Sequence, residues 1–193
     1  MSRGSVEFNT TKSTDTPLAR MTLCPWSWWL SIAAAVFAPM LIEARRAAAN
    51  ERAQRARGGV EPRDDVYRVM RVAYPVGFAA MLAEMAWRGR PAVELLAAGA
   101  TVFALAKALK WWAIAALGSA WTFRVIVVPD VPLVARGPYR FLRHPNYVAV
   151  VGEFVGAALM TGAFVAGPAA TLVFVVLLSR RVAVEERALR RGL

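Results

Sequence analysis

Five long apolar segments, separated by charged or turn-forming stretches, constrain what this chain can fold into. They occupy residues 25–42, 72–87, 92–109, 147–161 and 166–179. A helix needs about 20 apolar residues to cross a bilayer, where backbone groups must be paired within a helix or a closed barrel. Hydrophobic residues make up 58% of the 193 residues, more than soluble domains usually carry. The pattern predicts an all-α, polytopic membrane bundle with about five transmembrane helices.

The chain outside these spans divides simply. Residues 1–24 are polar and rich in Ser and Thr, which predicts a disordered tail. Residues 25–193 then form a single domain. Within it, the fourth apolar segment is short for a bilayer, and we expect the polar stretch before it to complete the crossing.

Arginine-rich segments lie beside the apolar ones and contribute to a net charge of +11. They cover residues 45–71, 124–143 and 180–191. Because cytosolic loops of membrane proteins carry an excess of Lys and Arg, this placement indicates topology rather than a nucleic-acid partner. It predicts that the N-terminus lies outside the cell and the C-terminus in the cytosol. Membrane lipids are then expected to surround the helices. The segments that carry motifs then face the cytosol.

The chain has one cysteine, Cys24, and one histidine, His144. A lone cysteine excludes a disulfide framework or a cysteine metal cluster within one chain. A single histidine does not predict a zinc site. We expect no metal.

Residues 117–134, between the third and fourth spans, are interrupted by Pro129 and Pro132 and yet are mostly apolar. Irregular backbone is tolerated at membrane depth only where it is buried in protein or lines a cavity. The sequence therefore predicts a re-entrant or interfacial segment that walls a pocket. A linker that lies on the lipid headgroups is the alternative.

The sequence GPYRFLRHPNY at residues 137–147 concentrates polar and aromatic side chains just before the fourth span. Pro145 biases His144 toward an extended backbone and lets a helix begin at Asn146 or Tyr147. A helix N-terminus flanked by Tyr139 and by basic side chains suits an anionic group such as a carboxylate. A purely structural hydrogen-bonding histidine is the competing interpretation.

Two carboxylates, Glu84 and Glu153, lie inside predicted spans. Intramembrane carboxylates usually face a cavity or a partner, which makes both candidates for function. The alternative is an ion pair with Lys107 or Lys110 of the third span. On the fourth span Gly152 and Gly156 form a GxxxG pattern typical of close helix packing.

Past the last span, Arg181 and Glu185 are four residues apart and share one helical face, with Glu186 beside them. An ordinary surface ion pair would explain them, although such a pair contributes only about 0–1 kcal/mol. The two glutamates could instead accept hydrogen bonds from a cationic or hydroxyl-bearing ligand.

The RHPNY block, taken with the distal glutamate pair, resembles the isoprenylcysteine carboxyl methyltransferase family, which also includes phospholipid methyltransferases. The resemblance covers about residues 110–189 and implies a helical membrane enzyme that uses S-adenosyl-L-methionine. It implies a cofactor-binding part at residues 118–189 and a substrate-side arginine at Arg181. By position, the implied cofactor contacts are Arg124, Val131, Pro132, Leu133, Val134, Tyr139, His144, Pro145, Asn146, Tyr147 and Glu185.

Two departures from the family pattern stand out. Ala149 stands where prenylcysteine enzymes often have glycine, which weakens the assignment of a prenylcysteine substrate. Family members usually continue after the glutamate pair with an aromatic, proline-containing tail, whereas this sequence ends at Leu193, so we expect one wall of the site to differ. By contrast, WTFRVIV at residues 121–127 and RHPNYVAV at residues 143–150 are similar to a bacterial subset of the family. That subset is thought to O-methylate long-chain polyketide pyrones or resorcinols, and it suggests a bacterial plasma membrane.

The resulting hypothesis is methyl transfer from S-adenosyl-L-methionine to an oxygen of a lipophilic acceptor that enters from the bilayer. A phenol or enol must lose a proton, so Arg181 would lower its pKa while Glu84, Glu153 or His144 accepts the proton. Carboxyl methylation of isoprenylcysteine-like substrates and methylation of a phospholipid headgroup are alternatives within the family. A small transporter or a lipid-binding scaffold is the alternative outside it. The oligomeric state stays open.

Overall fold

The computed structural model describes residues 25–62, 66–129 and 134–190, and this part of the chain is built from five α-helices. They are α1 (Pro25–Ala56), α2 (Tyr67–Arg88), α3 (Val93–Leu117), α4 (Pro145–Thr161) and α5 (Ala166–Arg190). The only β-pairing described is an isolated antiparallel bridge between Val60 and Val127. The prediction of an all-α bundle is confirmed, whereas the predicted disordered tail lies outside the described residues.

Within the described residues, four helices are by length and composition able to span a membrane, over Trp28–Ala56, Tyr67–Arg88, Val93–Ala120 and Ala166–Arg187. Helix α4 has 17 residues. At roughly 1.5 Å per residue it is about 26 Å long, slightly less than the ~30 Å hydrocarbon core of a bilayer. The fourth predicted span is therefore a helix, but a short one.

Three helices run further than the apolar segments predicted. Helix α1 ends at Ala56 rather than residue 42, α3 at Leu117 rather than residue 109, and α5 reaches Arg190 rather than residue 179. Apolar content marks only the part of a helix that contacts lipid or core. In α1 and α5 the backbone hydrogen-bond ladder continues through Ala-rich and Arg-rich sequence, because these residues are strong helix formers. In α3 the residues after Leu109 are apolar apart from Lys110, so the lysine does not end the helix.

Aromatic side chains from three helices form the centre of the core. Phe78 of α2 stacks on Phe154 of α4 with ring centroids 4.6 Å apart, and Phe174 of α5 lies 4.9 Å from Phe154. Tyr74 packs edge-on against Phe78 at 5.0 Å. This cluster fixes α2, α4 and α5 relative to one another.

Helices α3 and α4 approach closely through glycines. A Cβ atom added to Gly156 would lie 2.5 Å from the backbone nitrogen of Phe103, and one added to Gly152 would lie 2.9 Å from the Ala106 Cβ. On the other helix, a Cβ added to Gly99 would lie 2.3 Å from the backbone nitrogen of Met160. The GxxxG pattern is confirmed as a packing feature, since only hydrogen fits at these contacts.

The segment after α3 is irregular, as predicted. It begins with a 3₁₀ turn at Gly118–Ala120 and continues without a helix to residue 128. Asn50 of α1 donates to the carbonyl oxygens of Gly118 and Trp121 at 3.0 and 2.7 Å. Gln54 donates to Ser119 at 2.9 Å. These bonds hold the segment against the C-terminal end of α1.

Candidate functional site

A cavity of about 870 Å³ lies between the helices, at the end of the bundle where α1, α3 and α5 finish and α2 and α4 begin. Ligand pockets usually measure roughly 300–1,000 Å³. One part of the cavity wall is apolar and is formed by Phe37, Met40, Pro75, Phe174 and Leu178. The irregular segment after α3 supplies a further wall, from Ala120 to Val128. This arrangement agrees with the prediction that the segment forms one wall of a pocket.

The polar end of the cavity is formed by His144, Tyr147, Arg181 and Glu185, which we call the polar clamp. The Tyr147 hydroxyl donates to Glu185 Oε2 at 2.7 Å and accepts from Arg181 Nε at 3.0 Å. His144 Nδ1 lies 3.8 Å from the same Glu185 oxygen. Arg181 also donates through Nη2 to the Phe123 carbonyl oxygen. Tyr147 thus links a cation to a carboxylate at the start of α4.

Local sequence explains why these side chains meet. Pro145 occupies the first turn of α4, and His144 precedes the helix with φ −132°. His144 and Tyr147 are three residues apart, and their rings stack with centroids 5.3 Å apart. Arg181 and Glu185 are one turn apart on α5, so both reach Tyr147.

Two further residues of the motif line the cavity. The amide oxygen of Asn146 is buried and has no hydrogen-bond partner among the described residues. A buried unpaired acceptor is costly, by about 1–3 kcal/mol, so this atom is poised to receive a donor from a ligand. Burial, and secondarily the nearby Glu185 carboxylate, raises the pKa of Tyr139 well above its usual value, which keeps its hydroxyl protonated. Pro145 is buried beside them but does not line the cavity.

Arg124 lines the cavity but is held by acidic partners. Its Nε lies 3.0 Å from Glu51 Oε1 and its Nη1 lies 2.6 Å from Glu61 Oε1. The guanidinium also sits 4.6 Å from the Tyr67 ring centroid. Burial tends to raise the pKa of Glu61, but hydrogen bonds from Arg124 and Arg55 outweigh it and lower that pKa. Arg124 therefore ties the irregular segment to α1 and to the loop after it.

The remaining predicted cofactor contacts lie in the segment before the motif. Val134 lines the cavity. Val131, Pro132 and Leu133 lie outside the described residues.

Glu84 is not brought to this site. Its carboxylate accepts the backbone N–H groups of Val165 and Ala166, the latter at 2.6 Å, and pairs with Arg88 at 2.7 Å. It therefore caps the N-terminus of α5, at the opposite end of the bundle from the polar clamp. About 15 residues of α5 separate Ala166 from Arg181, or roughly 22 Å. A carboxylate at that distance cannot take a proton from a group at the clamp.

Glu153 belongs to a buried cluster of charges that we call the ion box. Its other members are Glu43 of α1 and Lys107 and Lys110 of α3. Lys107 Nζ lies 3.0 Å from Glu43 Oε1 and 2.8 Å from Glu153 Oε1. Lys110 Nζ lies 2.7 Å from Glu43 Oε2 and 3.2 Å from Glu153 Oε2. Both carboxylates are fully buried, and the ion-pair interpretation of Glu153 agrees with this geometry.

Sequence reasoning missed two residues here, Glu43 and Tyr74. Tyr74 donates its hydroxyl proton to Glu153 and accepts from Lys110 Nζ at 3.2 Å. Glu43, Tyr74 and Lys110 all line the cavity. A signal for Glu43 was present: two lysines in one apolar helix need two carboxylates, and Glu153 supplies only one.

Comparisons with known proteins show what the chain is similar to. The sequence model of the Isoprenylcysteine carboxyl methyltransferase (ICMT) family matches residues 98–191, which include α4, α5 and the polar clamp. "Uncharacterized protein YpbQ" of Bacillus subtilis (strain 168) is 29% identical over 163 residues, covering 84% of this chain and 96% of that protein. No solved structure matches. The C-terminal half of the chain, which holds the polar clamp, is thus similar to a family of membrane methyltransferases.

Proposed function

We propose that this protein is a member of that family and transfers a methyl group from S-adenosyl-L-methionine to an oxygen of a lipophilic acceptor. The observation that carries the proposal is one cavity that joins the polar clamp to an apolar wall. A charged cofactor and an apolar acceptor can meet only where both kinds of surface line the same space. A long-chain polyketide pyrone or resorcinol is the preferred acceptor.

The donors and acceptors at the polar end fit this cofactor, which carries a carboxylate, an ammonium, a ribose and an adenine. His144 and the N-terminus of α4 suit the carboxylate. Glu185 suits the ammonium or the ribose hydroxyls, and the unpaired Asn146 amide oxygen suits an N–H donor. When bound, the cofactor supplies an electrophilic methyl group on its sulfonium.

The chain contributes mainly by positioning the two reactants. Arg181 and Glu185 are fixed by Tyr147, so the polar clamp is ordered before a ligand arrives. Correct alignment of two reactants can supply up to roughly 7–11 kcal/mol of the barrier. Arg181, only 5% exposed, places a permanent positive charge beside the cavity that favours an acceptor oxygen bearing negative charge.

The outer surface of α1 suggests where the methyl acceptor enters the cavity. Leu41 and Ala44 line the cavity and are exposed on the outer surface of the bundle. A lipid-like molecule could therefore insert its reactive head from the bilayer while its chain stays between helices. The cavity volume leaves room for such a head beside a cofactor.

Methyl transfer by the purified protein in detergent or nanodiscs tests the proposal. Methyl-labelled S-adenosyl-L-methionine is supplied with an alkylpyrone, an alkylresorcinol, a prenylated cysteine or phosphatidylethanolamine. We expect labelled product with the first two acceptors and a loss of at least tenfold in kcat/KM in Glu185→Ala. Product only with prenylated cysteine or phosphatidylethanolamine would replace the proposed acceptor, and no product with any acceptor would favour a transporter or scaffold.

A further inference from the structure

Glu43, Lys110 and Tyr74 line the same cavity as the polar clamp, and Lys107 and Glu153 lie behind them in the ion box. Tyr147 of the clamp and Glu153 of the box are six residues apart on α4, which corresponds to about 9 Å. Aromatic and aliphatic side chains, including Phe174 and Leu178, line the cavity as well. A ligand that occupies the cavity can therefore contact both polar groups.

The charges of the ion box are balanced and tightly paired. Two ammonium groups alternate with two carboxylates, and the Lys110 ammonium has three polar neighbours, Glu43, Glu153 and Tyr74, for its three N–H bonds. Burying four charges is unfavourable unless they are fully paired, and replacing such groups by apolar ones is often neutral or stabilising. A purely structural role therefore leaves the burial of four charges unexplained.

Among these residues, Tyr74 can still accept a hydrogen bond from a ligand. Its hydroxyl donates to Glu153 and accepts from Lys110, and a phenolic oxygen has a second lone pair. The side chain is half-buried and lines the cavity. A hydroxyl group of a ligand in the cavity can donate to that lone pair.

We propose that Tyr74 and the ion box accept the proton of the acceptor's hydroxyl, which makes a weakly acidic phenol or enol the acceptor class. This inference rests on the proposed methyltransferase function. The acceptor O–H bond breaks and its proton joins the Tyr74 oxygen, while the Tyr74 proton moves to Glu153 Oε2. The acceptor becomes an oxyanion and Glu153 becomes neutral.

The charge count shows what stabilises the oxyanion once the proton has moved. With Glu153 neutral, the box keeps two ammonium groups against one carboxylate, so a net positive charge faces the new oxyanion. The oxyanion then attacks the methyl group. After the neutral ether leaves, the proton returns from Glu153 through Tyr74 to water that enters the cavity.

The charged and titratable groups that face Tyr74 come from three other helices. They are Glu43 of α1, Lys107 and Lys110 of α3 and Glu153 of α4, while α5 presents the apolar Phe174. None of the clamp residues contacts Tyr74 in the hydrogen bonds and ion pairs described. A change at Tyr74 can therefore be separated from cofactor binding.

The test compares two acceptors of the same chain length, an alkylresorcinol with a hydroxyl pKa near that of tyrosine, about 10, and an alkylpyrone whose enol is already ionised at pH 7. We expect Tyr74→Phe to lower kcat/KM by roughly 10²-fold or more for the resorcinol, the size of a general acid–base contribution. For the pyrone, Tyr74→Phe should change kcat/KM little, because this acceptor has no proton to lose. Binding of S-adenosylhomocysteine should be unchanged, and Thr161→Val, which removes a buried hydroxyl outside the cavity, should match wild type.

Equal losses for both acceptors, or no loss for the resorcinol, would overturn the inference. A second measurement needs no variant: the wild-type rate with resorcinol should be nearly independent of pH between 6 and 8. A tenfold rise per pH unit would mean that only preformed phenolate reacts and would also overturn it. If wild type methylates neither acceptor, the proposed function fails instead.

Discussion

Tyr147 gives the polar clamp its order, because one hydroxyl group bridges two charged side chains. The hydroxyl accepts a hydrogen bond from Arg181 and donates one to Glu185. Both side chains extend from α5, so Tyr147 fixes them against the start of α4. The Arg181 guanidinium also reaches the Phe123 carbonyl oxygen. A side chain with this geometry must carry several donors in a fixed plane, which is what arginine provides.

Replacing Arg181 by lysine tests that requirement. An ammonium on a flexible chain cannot bond Tyr147 and Phe123 in the same geometry, so we expect destabilisation by about 1.5–3 kcal/mol, the contribution of a charged hydrogen bond. Thermal unfolding in detergent measures it. Arg180→Lys, at an exposed neighbouring position, is the matched control and should unfold like wild type. Equal stability of Arg181→Lys would contradict the bridging role.

At the residue level, the structure brings together the side chains that the motif placed on short elements, while their roles stay predictions. His144, Tyr147, Arg181 and Glu185 meet because Pro145 starts α4 and a one-turn spacing on α5 carries the other two. The prediction failed for Glu84, which caps α5. Whether an intramembrane carboxylate faces a ligand, a lysine or a helix N-terminus depends on which helix packs beside it, and spacing along one helix does not encode that.

At the scale of helices, the α3–α4 contact depends on glycine. Gly156→Ala would place a methyl group 2.5 Å from the Phe103 backbone, which cannot move without displacing α3. We expect destabilisation by about 1–3 kcal/mol, as for overpacked sites. Val155→Ala, at the neighbouring position that is 40% exposed, is the control for unfolding measurements in detergent and should change little. Wild-type stability in Gly156→Ala would mean that the helices can separate freely.

The ion box links α1, α3 and α4, and its charge balance is expected to contribute to stability. Glu153→Gln leaves two buried ammonium groups against one carboxylate, and breaking a buried pair is expected to destabilise by about 3–5 kcal/mol. The double variant Glu153→Gln/Lys107→Met restores neutrality and should recover a large part of that loss. The free energy of unfolding in mixed micelles measures both. No recovery in the double variant would show that charge balance is not the cause.

Helix boundaries show what an apolar pattern can and cannot predict. The number and order of helices followed from the apolar segments, but α1 and α5 continue into charged sequence. These extensions matter for function. The part of α1 beyond residue 42 supplies Glu43, Glu51 and Gln54 to the cavity wall.

At the scale of the whole molecule, the polar clamp lies at one end of the bundle. Helices α1, α3 and α5 end there and α2 and α4 begin there, whereas the turns at residues 89–92 and 162–165 lie at the other end. The arginine-rich segments lie at this same end, and cytosolic loops of membrane proteins usually carry such an excess of Lys and Arg. We propose an outer N-terminus and a cytosolic C-terminus in a bacterial plasma membrane.

Cysteine labelling tests this orientation in whole bacterial cells. In a Cys24→Ser background, Arg90→Cys lies in the turn after α2 and Arg57→Cys follows α1. A membrane-impermeant maleimide should label position 90 in intact cells and position 57 only after permeabilisation. The reverse pattern would invert the topology and place the cavity on the outer side.

The cavity itself is the feature that sequence predicted least. Its apolar wall comes from α1, α2 and α5, and its polar groups come from positions far apart in the chain, such as Glu43 and Glu185. Such a space results from how five helices pack around a short α4. An apolar pattern predicts the helices but not the cavity that forms between them when they pack.

Calorimetric titration with S-adenosylhomocysteine tests the central claim most directly, because it needs no knowledge of the acceptor. We predict one binding site per wild-type chain, at least tenfold weaker binding in Glu185→Ala and in His144→Ala, and wild-type affinity in Glu94→Ala, an exposed carboxylate at the opposite end of the bundle. Absence of binding by folded wild-type protein, or equal binding by all variants, would contradict the assignment of the polar clamp to the cofactor.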